Sequence, residues 1–475
     1  MGTISSAFSL MSGALNADQA ALSVVANNVA NANTPGYTEE TPNWRQNAPL
    51  DINGVSYGDG VTETGATSLR DSVLEARLDQ QQQLASASGA RLTALNSVQA
   101  LFTPDSGSTS STAGDIGSDI TGFFNSFSSL EANPTDNALR QQVLSSATTL
   151  AGNVSNAAAS LNAQRSALDQ EASGVVCQVN SLTSAISQLN LQIQSTSPNA
   201  DAGTLEDQRS EDISQLSQLI GINQVPTEHY GLSITTTSGQ LLLSEGTDFP
   251  LTTGAANGVA NFFLGGTNIT SQLADGGGQL GGYLTARDQD IPNALTALNQ
   301  LAYSVSTSVN AFNNAGTDLD GATGTAANPL YIFNEPTAVA GSAASMCVVM
   351  TDPNQIAAAG SGAGTGDNAN ATAIANLAKT TSTALNSQTP TDFYSSFVST
   401  LGATVSGVQA ENTAQNASVT QLQTQNNALS SVNLNDEAAA MSTLQSSYQA
   451  ASQVFTMLNT IMAATLNLGD QTTVA

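Results

Sequence analysis

Residues 154–193 read VSNAAASLNAQRSALDQEASGVVCQVNSLTSAISQLNLQI, and an apolar residue returns every seven: Val154, Leu161, Leu168, Val175, Leu182 and Leu189. A second row, Ala158, Arg165, Ala172, Val179, Ile186 and Ile193, runs beside it. A repeat of seven keeps both rows on one seam of an α-helix. The seam lasts about forty residues, or roughly 60 Å of helix at 1.5 Å per residue. Few charges flank it, so the spacing predicts a helix packed inside a larger bundle rather than a free-standing zipper.

Working outward, helical spacing also marks 66–102 (Leu69, Val73, Leu74, Leu78, Leu92, Leu95), 135–151, 203–220, 283–313 and 391–431. In the last of these, Leu401, Val405, Val408, Val419, Leu422 and Leu429 share a frame with polar Asn412, Gln415 and Asn426. The character changes after Gly221. VPTEHYGLSITTTSGQLLLSEGTDFPL and VANFFLGGTNITSQL alternate or run apolar between Ser-Gly, Glu-Gly and Gly-Gly turns, which predicts a β-rich insert over 221–274. A second irregular region near 314–370 holds AGTDLDGATGTAANP, the strand-like SMCVVMTD and the Gly-rich GSGAGTG.

The two ends carry matching patterns. Ile4, Phe8, Met11, Leu15, Leu22, Val25 and Val29 alternate spacings of four and three, interrupted by Asp18. Met441, Leu444, Tyr448, Ala451, Phe455, Leu458 and Met462 do the same, after Asn435 as an expected N-cap and Asp436 and Glu437 in the first turn. Seams this narrow cannot hold an isolated helix in water, so each end needs a partner and the other end supplies one. The expected fold is mainly α with an inserted β-rich domain. Residues 1–33 and 434–475 form paired terminal coiled-coil helices, 34–220 and 275–433 a helical, rod-like middle domain with an insertion near 314–370, and 221–274 the outer β insert.

Composition excludes several classes. Nine basic residues against 37 acidic leave a net charge of −28, with Lys379 the only lysine. Such a chain cannot neutralise phosphates, so neither nucleic acid nor an anionic membrane is an expected partner. Cys177 and Cys347 are too few for a disulfide framework or a zinc ribbon. The start, MGTISSAFSLMSGALNADQ, lacks the basic and apolar blocks of a secretory signal, and no apolar run is long enough to span a bilayer. Export would need a dedicated route.

Motifs that resemble catalytic signatures lack their context. Gly54-Val55-Ser56-Tyr57-Gly58 matches G-x-S-x-G, but a turn follows it where a nucleophile elbow needs a helix, and His229 is the only histidine. Residues 276–281, GGGQLG, match G-x-G-x-x-G without the acidic residue a dinucleotide site needs; a flexible hinge back to the helical rod is the better reading. GTDLDG at 316–321 lacks calcium-loop spacing and reads as a turn. Trp44 is either a packing anchor or an interface residue. No catalytic, cofactor or metal site is expected.

Positions 27–38 read NNVANANTPGYT. The residue before Pro35 is pushed out of the helical region, Gly36 permits a tight turn, and the asparagines offer side-chain hydrogen bonds. The stretch therefore ends the first helix and leaves Tyr37 to pin the extended TEETPNWRQNAPL. At Asn28, Asn31, Thr34, Pro35, Gly36 and Tyr37 it resembles the signature of bacterial flagellar axial proteins, those of rod, hook and hook–filament junction. SSVNLNDEAAAMSTLQSSYQAASQVFTMLNTI at 430–461 and GQLGGYLTARDQDIPNALTALNQLAYSVSTSVNAFNNAG at 278–316 resemble the junction members. The chain departs from them in a short stretch after Asn334 and in Thr38-Glu39-Glu40, which lacks a basic residue often seen there.

The resemblance implies a secreted structural adaptor, not an enzyme. It would be exported unfolded, assemble as a ring of copies through its terminal helices, and join hook to filament outside the cell. The implied partners are the hook protein, a second junction protein of hook-associated protein 3 type, and a cytoplasmic export chaperone on the C-terminal helix, with no cofactor. The alternatives are another axial subunit, of hook or rod, and an extracellular serine hydrolase built on Ser56.

Overall fold

The computed structural model describes residues 2–52, 54–102, 115–196, 201–228, 230–256 and 258–471. Helix α1 (Gly2–Asn31) is followed by a long hairpin in which β1 (Glu40–Gln46) pairs antiparallel with β4 (Val61–Ser68). At its tip β2 (Leu50–Ile52) pairs with β3 (Val55–Tyr57). The hairpin lies along α1, with Gly60 against Leu10 and Gly13 against the Val61 carbonyl. The helix expected from residue 66 begins later, as α2 (Ser72–Ala100). Residues 66–68 still pair with β1, and the Asp71 carboxylate caps the helix by accepting from the Val73 and Leu74 N–H groups at 3.0 and 3.1 Å.

Helix α3 (Ile116–Ala132) was absent from the sequence reading, although Asp115 caps it and Ile116, Ile120, Phe123, Phe124, Phe127 and Leu130 keep helical spacing. All six are buried, and each large side chain removed from water contributes about 2–3 kcal/mol. The stretches read separately as 135–151 and 154–193 form one 60-residue helix, α4 (Asn137–Thr196). Of its predicted seam, Val154, Leu161, Leu168, Val175, Ala158, Ala172, Val179, Ile186 and Ile193 are buried. The first half of α4 belongs to one core with α3, and the second half to another that includes α5 (Thr204–Leu219) and the β insert.

The insert is a four-stranded antiparallel sheet, β5 (Ile222–Pro226), β6 (Leu232–Thr236), β7 (Leu241–Ser244) and β8 (Thr247–Asp248) in sequence order, and a three-stranded sheet. In the latter, β10 (Val259–Leu264) lies between β9 (Thr252–Ala256) and β11 (Thr267–Asn268). Helices α6 (Thr270–Ala274) and α7 (Gly278–Thr285) lead back, and a π turn at Ala286–Asp290 joins α7 to α8 (Ile291–Ala315). The glycines read as a flexible hinge are instead a close crossing of backbones. Gly221 lies against the Gly276 carbonyl, and Gly278, at φ +70°, lies against Ile220, so the chain enters and leaves the insert at one point. At the π turn the buried Arg287 donates to Asp169 on α4 at 2.6 Å, to Asp288 and to the Ala260 carbonyl at 2.7 Å.

Between residues 316 and 389 the chain is irregular apart from short pieces such as α9 (Ser342–Ser345) and α10 (Ala369–Asn376). SMCVVMTD is not a strand: residues 342–345 are helical, and Val348 makes only an isolated bridge with Phe333. Side chains on helices satisfy this backbone instead. Asn310 on α8 donates to the Phe333 carbonyl and accepts from the Ile332 and Phe333 N–H groups, while Asn313 donates to the Leu330 carbonyl and accepts from Ala357. Arg140 of α4, 1% exposed, gathers the carbonyls of Pro134, Pro353, Asn354 and Ile356. GTDLDG is the expected turn, with Asp318 accepting from the Asp320 and Ala322 N–H groups.

Helix α11 (Pro390–Ser430) runs antiparallel to α2: Phe397 meets Phe102 edge to face at 4.9 Å, and further along Asn412 donates to the Ala85 carbonyl. Helix α12 (Leu434–Gln471) then returns along α1. Its cap is Asn433, not Asn435, because the Asn433 side chain accepts from the Asn435 N–H at 3.1 Å. Both cysteines are free and exposed. No described helix is long and apolar enough to cross a membrane.

Gly282 is where α7 meets α2, since a Cβ there would collide with the Ala87 carbonyl and press on Ala90. Gly282→Leu is expected to cost about 3 kcal/mol by forcing these helices apart, read as a lower urea midpoint at unchanged slope.

Candidate functional site

The motif at residues 27–38 folds into a latch at the base of the hairpin. Asn28, 1% exposed on α1, uses all four hydrogen bonds an amide can make. Its Nδ2 donates to the Glu40 carbonyl at 2.8 Å and to Glu437 Oε1 of α12 at 2.9 Å. Its Oδ1 accepts from the Glu40 N–H at 3.0 Å and from the Tyr37 hydroxyl at 2.8 Å. One side chain thus joins α1, β1 and α12. Asn31 donates to the Asn27 carbonyl and side chain and accepts from the Thr34 hydroxyl. The Tyr37 N–H closes on the Thr34 carbonyl at 3.2 Å around Pro35 and Gly36, whose φ of +77° is what the third position of a type II turn requires.

Further contacts bind the latch to the helical body. The Thr38 N–H donates to Asp207 of α5 at 3.1 Å, and the Glu39 N–H donates to the Ser430 carbonyl at the end of α11 at 2.8 Å. Arg70 pairs with Asp207, with Glu206 at 3.2 Å and with Glu75 at 3.5 Å. Burial pushes the Tyr37 hydroxyl up, as do Glu40 and Asp207, so it stays a donor. Burial likewise raises Glu40, helped by Asp201 and Asp207. Glu437 Oε2 and Asp18 Oδ2 are buried with no hydrogen-bond partner among the described residues.

Sequence reasoning placed the motif residues but missed Glu437, Asp207 and Arg70 as their partners. Glu437 read only as a first-turn acid, and its contact with Asn28 spans 409 positions, beyond any local pattern. Asp79, on α2 beside the latch, was missed as well. It is 7% exposed and accepts from Gln224 at 2.8 Å, and burial raises its carboxyl to about 7 against that hydrogen bond.

Above the latch α1 and α12 pack antiparallel. Phe8 meets Phe455 edge on at 4.9 Å, with ring planes at 74°. Met11, Leu15, Leu22, Met441, Leu444 and Leu458 are half-buried and Val25 is buried, whereas Val29, Tyr448 and Met462 are exposed. The Ile4 side chain lies outside the described residues, as does His229. The deepest positions of α1 are Ala17, Ala21, Val25 and Asn28, because the hairpin covers a side of α1 that α12 does not. Ser56 lies exposed on β3, in a hairpin with no helix after it. Among the described residues no cluster of three or more His, Cys, Asp or Glu is placed to hold a metal.

A helix bearing Asn28, closed by a Thr-Pro-Gly-Tyr turn and paired with a helix from the far end of the chain, is where the likeness to flagellar axial proteins begins. Residues 11–38 match the family described as flagella basal body rod protein, and residues 106–327 match the flagellar hook-associated protein FlgK helical domain. Flagellar hook-associated protein 1 of Salmonella typhimurium is 30% identical over 325 residues, covering 66% of this chain and 57% of its own length. Its counterpart in Bacillus subtilis is 27% identical over 351 residues, covering 66% of this chain and 67% of its own. The matched stretch thus spans little more than half of the Salmonella relative. The structure of the flagellar hook junction protein FlgK from Burkholderia pseudomallei superposes with a TM-score of 0.63 at 18% identity, over 74% of this chain and 99% of that one, a likeness of fold. The chain thus carries the helical domain of the hook-associated protein FlgK and a rod-type N-terminal segment, and it is similar to flagellar hook-associated protein 1.

Asn28→Leu removes four hydrogen bonds and leaves the Glu40 peptide and Glu437 unmatched, so it is expected to lower stability by about 3 kcal/mol in urea titration. Asn28→Asp, which turns an acceptor toward Glu437 and the Glu40 carbonyl, is expected to cost at least as much. Asp79 gives a pH test. Between about pH 4 and pH 7 the folded chain holds a proton on Asp79 that the unfolded chain has released, so its contribution to stability falls as pH rises through that window and is gone above it. The full span is about 4 kcal/mol from a shift to about 7. Asp79→Asn should flatten this slope in urea titrations at pH 5 and pH 8, with its gain appearing at pH 8.

Proposed function

We propose that this chain is the structural adaptor that joins hook to filament in a bacterial flagellum. The observation that carries the reading is the α1–α12 pair. Its inner face is closed by Phe8 on Phe455, yet α12 still exposes Tyr448, Val454, Met457, Ile461 and Met462. An apolar stripe of that length on a helix already paired once calls for further helices of the same kind. Neighbouring copies around a ring would supply them through heterologous contacts, which leave unlike surfaces toward hook and filament.

In this reading 1–33 and 434–475 form the inner layer, 34–220 and 275–433 the middle, and 221–274 the outer surface. Ile4, Phe8, Met11, Leu15, Leu22, Val25 and Val29 form the assembly seam with Met441, Leu444, Tyr448, Phe455, Leu458 and Met462. Narrow seams hold the terminal helices only weakly within one chain, which suits unfolded passage through a narrow type III export channel before neighbours cover them. The proposed partners are further copies, the hook protein, a second junction protein and a cytoplasmic chaperone on the C-terminal helix. The role is non-enzymatic and extracellular.

Deleting the gene tests the reading. Complete hooks without filaments, with flagellin lost to the medium, are expected in electron micrographs and protein gels; unchanged flagella would overturn it. Leu22→Asp or Phe455→Asp should leave the middle of the chain folded while abolishing incorporation and swimming, the second by removing the edge-on contact with Phe8, worth about 1 kcal/mol beyond the area it buries. Normal filaments on either strain would count against the seam.

A further inference from the structure

The hairpin holds apolar side chains that its own chain leaves in water. Trp44, Leu50, Val55 and Tyr57 are 42% to 53% exposed. Leu50 and Tyr57 are cross-strand partners, and alternation puts Val55 on their face, so the tip presents one apolar side. Strands β2 and β3 pair only with each other, and a lone two-stranded hairpin is marginal in water. The hairpin is also acidic, with Glu40, Asp51, Asp59 and Glu63 against Arg45.

At the other end of the same hairpin a groove of about 1010 Å³ opens between the start of α2, α5 and the turn joining β5 to β6. Its rim is apolar and open: Val73 is 69% exposed and Tyr230 45%. Three arginines line it. Arg70 is held by Glu75, Glu206 and Asp207, and Arg209 donates to Asn190 and to the Tyr230 carbonyl. Arg77 is exposed and has no ion pair among the described residues. In a chain of net charge −28, an open guanidinium beside an uncovered apolar rim is a place for an acidic, apolar segment.

The hairpin tip is such a segment, but it cannot reach the groove of its own chain. The hairpin runs beside α1 from Asn28, which holds Glu40, to Leu10, against which Gly60 rests. That is about 27 Å of helix at 1.5 Å per residue, and the tip is still farther along. The groove lies at the base, where Ser68 and Arg70 line it. Tip and groove can meet only between two copies.

We propose that the hairpin tip of one copy docks in the Arg77 groove of a neighbouring copy. Leu50, Val55 and Tyr57 cover Val73 and Tyr230, and the acidic flanks of the tip face Arg77. The contact is heterologous, so each copy gives a tip on one side and a groove on the other, and it rests on the adaptor reading for its supply of neighbours.

The test uses the full chain with Cys177→Ser and Cys347→Ser, carrying Tyr57→Cys and Val73→Cys as the sole copy in cells. After mild oxidation of sheared flagella, an immunoblot is expected to show a ladder at multiples of the chain mass. Cells expressing the two single-cysteine chains together should give dimers and no ladder, the mark of a one-directional contact. Arg77→Glu should lower the cross-linked fraction at least fivefold, and Arg77→Lys should restore it. A chain present in the sheared flagella but only as monomer overturns the docking while leaving the adaptor reading intact. Absence of the wild-type chain from sheared flagella overturns both.

Discussion

A side-chain amide can hold both polar groups of one residue's backbone, and this molecule depends on that device. Asn28 accepts from the Glu40 N–H and donates to its carbonyl; Asn180 does the same to Leu251, and Asn310 to Phe333. In each case an asparagine on a helix completes one rung of a ladder on an edge that no strand covers. The amide suits this because it carries donor and acceptor together and no charge, so burial exacts no ionic desolvation. A chain with only 10% charged residues can therefore fasten strands and irregular loops onto helices without buried ion pairs at most of those points.

Charge is buried where a different problem arises. Arg140 and Arg287 are each 1% exposed and sit where α4 meets non-helical chain. Arg140 faces carbonyls that point the same way at a turn, which an amide with two N–H groups could not satisfy together. Arg287 meets Asp169 and Asp288 at the π turn and reaches a β10 carbonyl, fixing the insert to the helix that runs through both cores. Helix α4 is thus the common member, with its apolar rows feeding one core in its first half and a second beyond it.

The sequence showed what repeats and hid what is satisfied at long range. The sevenfold rows of α4 were legible because one face of one helix carries both, and the turn at 34–37 because Pro35 and Gly36 restrict the backbone whatever surrounds them. The hairpin over 40–68 was not, since its strands are short, polar and half exposed and so lack the alternation that marks a buried sheet. Helix α3 was legible in principle, since Asp115 offers a cap and the apolar residues after it keep helical spacing. Around the latch the motif residues could be named, whereas Glu437 on α12, Asp207 on α5 and Arg70 just ahead of α2 lie elsewhere in the chain and carry no signal of their own.

The bond between Asn28 and Glu437 joins residues 409 positions apart. In a disordered chain, closing a loop of that length costs on the order of 5 kcal/mol, so it cannot lead folding and must follow the docking of the helices between. The order has a consequence for a chain delivered end first. Glu437 arrives after nearly everything else, and until it does Asn28 lacks one partner and α1 has no helix to lie on. A chain stopped short of α12 would keep both cores and still fail to close. The latch thereby checks completeness: it reports, at the front of the molecule, that the back has arrived.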